Sequence, residues 1–91
     1  MTKTSKKITF TGRVQGVGFR FTVFNVANRC ELTGHVRNLP NGSVEMIAQG
    51  NAQDIDDCLR DITESYEGTI KDVKAEDTPY DNSLTEFKIT F

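Results

Sequence analysis

The 91-residue sequence contains one histidine, two cysteines and no apolar run long enough to span a membrane. A single histidine, His35, leaves no Ser-His-Asp or Cys-His arrangement that does not depend on it. Cys30 and Cys58 are too few for a disulfide framework or a cysteine-rich metal motif. Both fall on predicted helix stripes, so we expect buried, reduced thiols, with a bridge between them as the disfavoured alternative. The sequence therefore indicates neither covalent nor metal-assisted chemistry.

Positive and negative charges nearly cancel, since the net charge is −2. This argues against a general nucleic-acid or anionic-membrane surface, although a local positive pocket for a small anion stays possible. The lysines near the N-terminus have no apolar stretch behind them, so they do not form a signal peptide. We expect residues 1–6 to be a disordered lead-in, residues 7–91 to form one domain, and the protein to lie in the cytoplasm and to be a monomer.

Apolar periodicity predicts two helices and five strands in the order β-α-β-β-α-β-β. The helices are expected from about Phe19 to Cys30 and from about Ala52 to Tyr66, each with one apolar stripe. The strands are expected at 7–11, 34–38 and 43–49, around Ile70, Val73 and Ala75 with a slip in the alternation, and at 84–91. The order predicts an α+β, ferredoxin-like split β-α-β sandwich, with two helices on one face of an antiparallel sheet of four to five strands.

Local sequence signals predict one turn and one helix cap. Residues 39–42, Leu-Pro-Asn-Gly, predict a hairpin turn, and Asn51 or Asp54 is a candidate cap for the second helix. The aspartates of that helix are interpreted as a solvated outer face rather than a metal site.

The most informative stretch runs from Gly12 to Arg20, Gly-Arg-Val-Gln-Gly-Val-Gly-Phe-Arg, between the first strand and the first helix. Three glycines allow positive φ angles that turn backbone amides inward, and the helix start adds unpaired N–H groups. Arg20 on the first turn supplies a permanently charged fork for phosphate or carboxylate oxygens. The spacing matches neither a P-loop nor a dinucleotide fingerprint. On these residues alone, an anion cradle and a simple tight turn both remain open.

This stretch, followed by Gly-His-Val-Arg-Asn at 34–38 and Asn-Gly-Ser-Val-Glu at 41–45, resembles the acylphosphatase family over nearly the whole chain, from Ile8 to Phe91. The resemblance implies hydrolysis of a small acyl phosphate to a carboxylate and inorganic phosphate, without metal or cofactor. It also implies that inorganic phosphate or sulfate binds as a product-like ligand, and that the attacking water passes its proton to the substrate's phosphate oxygens.

By the same resemblance, Arg20 corresponds to the phosphate-binding arginine and Asn38 to the water-orienting asparagine. The backbone amides that correspond to the phosphate cradle are those of Val14, Gln15, Gly16, Val17, Gly18 and Phe19. In the split fold we expect the first two strands to be central neighbours, so that the cradle and Asn38 meet at one edge of the sheet. A neutral amide suits holding a water beside a phosphate, where an aspartate would be repelled.

Several alternatives stay open at this stage. The run 17–21 faintly resembles the glycine-aromatic strand motif of RNA-recognition domains, and a domain of a larger carbamoyl-phosphate-handling protein would look the same. Phe21 and Phe24 lie off the helix stripe and either pack on neighbouring loops or form an apolar wall beside the ligand. His35, where the family usually has a bulky aromatic residue, is interpreted as structural.

Overall fold

The computed structural model describes residues 3–91, and within them two helices alternate with five strands in the predicted order. The elements are β1 (Lys3–Gly12), α1 (Phe19–Arg29), β2 (Thr33–Asn38), β3 (Val44–Asn51), α2 (Ala52–Ser65), β4 (Ile70–Asp77) and β5 (Phe87–Ile89). The ferredoxin-like α+β arrangement is confirmed.

Both helices bury the stripes that their periodicity predicts. In α1 the buried side chains are Phe19, Val23, Val26 and Ala27. In α2 they are Ile55, Cys58 and Ile62. They pack into one core with the inward residues of the strands, where each fully buried large apolar side chain contributes about 1.5–3 kcal/mol. The strand members of this core are Ile8, Phe10, Val36, Val44, Met46, Ala48 and Phe87.

The sheet has five strands in the order β4-β1-β3-β2-β5, which corrects two expectations. First, β5 pairs in parallel with β2, so the sheet is mixed rather than wholly antiparallel. Second, β1 and β2 are not neighbours, because β3 lies between them and pairs antiparallel with both. The split fold had suggested direct adjacency, but the crossover through α1 leaves room for β3 between the first two strands.

The ends of β1 and β2 nevertheless lie at the same edge of the sheet. Since both strands run antiparallel to β3, they run parallel to each other. Phe10 near the end of β1 and Asn38 at the end of β2 both stand opposite Val44, the first residue of β3. The loop after β1 and the turn after β2 therefore flank the start of one strand.

The terminal strands differ in extent from their expected bounds. β1 begins at Lys3, because residues 3–6 pair with β3 instead of forming part of a lead-in. The other lead-in residues, Met1 and Thr2, lie outside the described part of the chain. β5 is only three residues long, because the chain before Phe87 is held in turns. There the backbone of Asp81 exchanges two hydrogen bonds with the side chain of buried Gln49, at 2.8 and 3.0 Å.

Two smaller expectations are refined. The slip in the fourth strand corresponds to a register shift between Thr11 and Gly12 in the β1–β4 pairing. Asn51 is the N-cap of α2, but its side chain makes no capping bond to the helix backbone and instead donates to Asp54 Oδ2 at 3.4 Å.

Candidate active site

The loop between β1 and α1 has the conformation that its glycines permit. Gly12, Gly16 and Gly18 have φ angles of 119°, 74° and 77°, and Gly18 is the N-cap of α1. In the described chain, the backbone amides from Val14 to Phe19 donate no intramolecular hydrogen bond. A run of free N–H groups at a helix N-terminus favours an anion. The local geometry therefore favours the anion-cradle interpretation over a simple tight turn.

Contacts with the segment between α2 and β4 hold one side of this loop. The Arg13 amide donates to Thr69 O at 2.9 Å, and the Tyr66 hydroxyl donates to Val17 O at 3.1 Å. The Tyr66 ring also packs edge-on against Phe19, with ring centroids 4.9 Å apart. Because Phe19 is buried in the core, the helix start is anchored by packing as well as by hydrogen bonds. Sequence reasoning placed Tyr66 only on a helix stripe, and nothing in the periodicity signalled its hydroxyl contact.

The Gln15 side chain holds the other side of the loop, against the β2–β3 turn. Gln15 Nε2 donates to Leu39 O at 2.9 Å and to Ser43 O at 2.8 Å, both in the β2–β3 turn. The turn itself is closed by Leu39 N donating to Ser43 O at 2.8 Å and Gly42 N donating to Leu39 O at 3.1 Å. Gln15 was predicted to contribute only its backbone amide, so its side-chain role was missed.

The Arg20 side chain is oriented by contacts with Thr90 and Phe91. Its Nη1 donates to Thr90 O at 3.2 Å, and its guanidinium carbon lies 4.8 Å from the centre of the Phe91 ring. Thr90 is itself fixed beside β2, since its amide donates to Val36 O at 2.8 Å. Within residues 3–91, Arg20 forms no ion pair with a carboxylate. Its charge is therefore held in place without being neutralised.

Asn38 completes the site from β2. Its carbonyl oxygen, Oδ1, is buried and has no hydrogen-bond partner among the described residues. Leaving a buried polar atom unpaired costs about 1–3 kcal/mol, so such an atom calls for a functional explanation. A residue that merely flanked the turn would satisfy its amide within the turn, as Asn41 Oδ1 does with the Ser43 amide at 3.0 Å.

These groups line one open cavity of about 210 Å³. Of the predicted site, it brings together Val14, Gly16, Gly18, Phe19, Arg20 and Asn38, whereas Gln15 and Val17 do not line it. Phe21, Ile89 and Phe91 add an apolar side. Of the two alternatives for the aromatic residues that lie off the helix stripe, each applies to one residue. Phe24 packs against the core, while Phe21 is 61% exposed and lies in the cavity wall, with its ring stacked on Phe24 at 6.3 Å.

The remaining reactive side chains lie elsewhere. His35 is half-buried on β2, opposite Ile47 and Lys88, and lines a separate cavity beside residues 83–86. Both cysteines are free thiols, with Cys58 buried and Cys30 half-buried. Burial raises the pKa of Cys58 to about 12 and also raises the pKa of Cys30. Neutral thiols are poor nucleophiles, so neither supports covalent chemistry.

The described residues do not support the RNA-recognition alternative. The run 17–21 forms the loop end and the first turn of α1 instead of a strand. The large exposed apolar residues are Val17, Phe21, Tyr80 and Phe91, none of which lies on a strand where bases could stack.

Residues 3–91 contain neither a metal-binding cluster nor a membrane-spanning helix. No group of three or more His, Cys, Asp or Glu side chains is placed to hold a metal ion. Neither helix combines the length and hydropathy that crossing a bilayer would require.

The fold and the cavity define a small α/β sandwich whose glycine-rich loop leaves a run of backbone amides free at a helix N-terminus. A family model described as Acylphosphatase matches residues 6–89, so the chain belongs to the acylphosphatase family, enzymes that hydrolyse acyl phosphates. An acylphosphatase of Chlorobaculum tepidum is 38% identical over 90 residues, which are 98% of each chain. The crystal structure of acylphosphatase from Bacillus subtilis superposes with a TM-score of 0.89 at 27% identity, covering 99% of this chain and 100% of that one.

A larger protein contains a similar unit. Full-length HypF, in a phosphate- and nucleotide-bound form, matches 99% of this chain with a TM-score of 0.87 at 28% identity, but the match spans only 12% of HypF.

Proposed function

We propose that this enzyme binds the phosphoryl group of an acyl phosphate between Arg20 and the backbone amides of Val14 to Phe19, while Asn38 orients the attacking water. The observation that carries the proposal is the convergence of an ion-pair-free guanidinium, free amides and an unpartnered buried amide oxygen at one cavity. Among the described residues the amides and Asn38 Oδ1 have no hydrogen-bond partner and the guanidinium bonds only the carbonyl of Thr90, so a phosphate with an in-line water would satisfy all three groups.

The chemistry needs little more than these groups. Water attacks phosphorus, an O–P bond forms, and the bond between phosphorus and the acyl oxygen breaks to release a carboxylate. Because the leaving group is good, positioning of the water and stabilisation of charge on the phosphoryl oxygens account for most of the catalysis. Arg20 and the amides supply the charge stabilisation, and Asn38 Oδ1 accepts a hydrogen bond from the water. The proton of the water passes to a phosphate oxygen of the substrate.

The acyl side of the substrate would face the apolar part of the cavity. Phe21 stacks on Phe24, whose ring lies 6.5 Å from that of buried Phe87, so the exposed ring is supported from the core. A supported aromatic surface beside the anion site favours acyl groups that carry apolar or aromatic substituents.

We further propose that the reaction needs neither metal nor cofactor, since Arg20 and the amides supply the positive charge. The test is hydrolysis of benzoyl phosphate in excess EDTA by the native enzyme, Arg20→Ala and Arg20→Lys. We expect EDTA to leave the native rate unchanged and Arg20→Ala to lose about 100- to 1,000-fold in kcat/KM. Arg20→Lys keeps the charge but loses the planar fork, and should recover only part of that loss. An EDTA-sensitive native rate, or a folded Arg20→Ala with native activity, would overturn the proposal.

Location in the cytoplasm and a monomeric state are also proposed. Two reduced thiols suit a reducing compartment, and the edge strand β4 is lined with charged residues, which disfavours edge-to-edge pairing. Light scattering at micromolar and millimolar concentrations tests the monomer: a mass that rises with concentration contradicts it.

A further inference from the structure

We propose that the Gln15 side chain is a positioning residue, which sets Asn38 at the correct place relative to the phosphate cradle. The inference rests on the proposed roles of the cradle and Asn38, and it adds the element that joins them. Gln15 does not line the cavity, so it acts through the β2–β3 turn instead of touching the substrate.

The need for such a connection follows from the sheet order. The cradle follows β1 and Asn38 ends β2, but β3 separates the two strands, so no backbone ladder joins the two halves of the site directly. β1 pairs with β3 as far as Phe10 and Val44, which leaves the loop beyond it unpaired on that side. Among the described residues, the two bonds from Gln15 Nε2 are the hydrogen bonds that link the loop at 12–18 to the β2–β3 turn.

The two acceptors lie on the two arms of the hairpin, one step beyond Asn38 towards the turn. Leu39 directly follows Asn38, and Ser43 directly precedes Val44, its partner across the ladder. Each carbonyl already accepts one backbone bond that closes the turn, so Gln15 uses the second lone pair of each. One nitrogen with two protons thereby clamps both strands of the hairpin next to Asn38.

Only a primary amide of this length meets the requirement. Glutamate has the same shape, but its ionised carboxylate has no proton to donate and would be repelled by both carbonyl oxygens. Asparagine is shorter by one methylene, about 1.5 Å, which exceeds the tolerance of a hydrogen bond. The three glycines of the loop give the backbone no stiffness to compensate.

The test is a double-mutant cycle between Gln15→Glu and Asn38→Ala, with benzoyl phosphate turnover, inhibition by inorganic phosphate and thermal unfolding measured for each variant. A displacement of about 1 Å costs on the order of 100-fold in rate, so we expect Gln15→Glu to lower kcat by about 10- to 100-fold. Its inhibition constant for phosphate should rise by a smaller factor than kcat falls, because the new carboxylate lies outside the cavity while the cradle and Arg20 remain. In the Asn38→Ala background, the same substitution should lower kcat by less than about threefold.

Two controls accompany the cycle. Gln53→Glu makes the same change on the outer face of α2, where Gln53 Nε2 bonds only to Asp57, and should leave kcat unchanged in both backgrounds. Tyr66→Phe removes the loop's contact on the side away from Asn38, so its effect on kcat should be the same in both backgrounds. A direct readout independent of turnover is the side-chain NH₂ signal of Asn38 in a ¹⁵N–¹H spectrum, which Gln15→Glu should shift and Gln53→Glu should not.

The outcomes separate the inference from the function on which it rests. If Asn38→Ala keeps native turnover, the water-orienting role fails. If Asn38→Ala loses turnover but Gln15→Glu keeps native kcat, or loses the same factor in both backgrounds with the Asn38 signal unmoved, the positioning role of Gln15 is overturned while the proposed function stands.

Discussion

At the scale of single residues, the tasks proposed for Arg20 and Asn38 can be separated. Arg20 carries a charge with no carboxylate partner among the described residues, whereas Asn38 presents a neutral, buried acceptor. Charge stabilisation acts on bound phosphate and on the transition state alike, but orientation of a water matters only for turnover. Substitutions at the two positions should therefore change different kinetic constants.

We predict that Asn38→Ala lowers kcat for benzoyl phosphate by about 100-fold while inhibition by phosphate stays within a few-fold of native. Asn38→Asp is the informative companion, because a carboxylate would repel the phosphate and should weaken that inhibition as well. Steady-state kinetics with phosphate as a competitive inhibitor gives both constants. Equal losses of phosphate binding in the two variants would contradict a purely orienting role.

Phe21 allows a second prediction at this scale, because it forms the exposed apolar wall of the cavity. Phe21→Ser should lower kcat/KM for benzoyl phosphate by about 3- to 10-fold, the range of one aromatic contact, and leave acetyl phosphate nearly unchanged. Tyr80→Ser, at an exposed aromatic residue outside the cavity, serves as the control. Parallel losses on both substrates would show that Phe21 supports the fold instead of selecting the acyl group.

Sequence patterns predicted candidate site residues that belong to local motifs, but they did not predict contacts between residues far apart in the sequence. Arg20 and Asn38 were predicted as site residues from their motifs, and both line the same cavity. The side-chain bonds of Gln15 to residues 24 and 28 positions away were not found, because they depend on β3 lying between β1 and β2. Likewise, the hydroxyl of Tyr66 bonds Val17 at a separation of 49 residues, which helical periodicity does not encode.

At the scale of elements, β2 joins the site to the rest of the sheet. It pairs with β3 on one side and with β5 on the other, which places Asn38 at the end of β2 and Thr90, whose carbonyl orients Arg20, directly after β5. The short length of β5 was not predictable from its clean alternation, since the turns that begin at Asp81 delay its start to Phe87. Apolar periodicity fixed the helices to within one residue, because their buried stripes depend on local spacing alone.

Gly34 lies where β2 packs closely against β3, so a substitution there tests that packing. It has a φ of 135° in β2, and a Cβ built there would collide with the backbone carbonyl of Ile47 on β3. We predict that Gly34→Ala destabilises the fold by about 3 kcal/mol or more, because neither backbone can move without breaking the ladder. Gly42→Ala in the β2–β3 turn has a φ of 92° but open space, so it should cost only about 1 kcal/mol. Urea unfolding of both variants measures the difference, and equal costs would refute the steric argument.

At the scale of the whole molecule, the two helices meet over a core that contains an ionisable group. Cys58 on α2 is fully buried, and desolvation, followed by the neighbouring Cys30, raises its pKa from a usual 9.0 to about 12. Above pH 9 the unfolded chain loses this proton while the folded protein keeps it. Since the unfolded state then binds fewer protons, the free energy of unfolding falls as pH rises. The contribution is fully present below pH 9 and is lost towards pH 12.

This loss should appear in the unfolding of the whole molecule, at up to about 1.4 kcal/mol per pH unit from Cys58. We predict that urea unfolding between pH 8 and pH 11 shows a steeper decline for the native protein than for Cys58→Ala, which lacks the thiol. The comparison cancels the lysines and tyrosines that titrate in the same range, because both proteins contain them. The substitution lowers stability at pH 8 by opening a small cavity, so the slope and not the absolute value is the measurement. Identical slopes would mean that the thiol reaches water in the folded protein, and that the two helices do not close over it as the buried stripe of α2 requires.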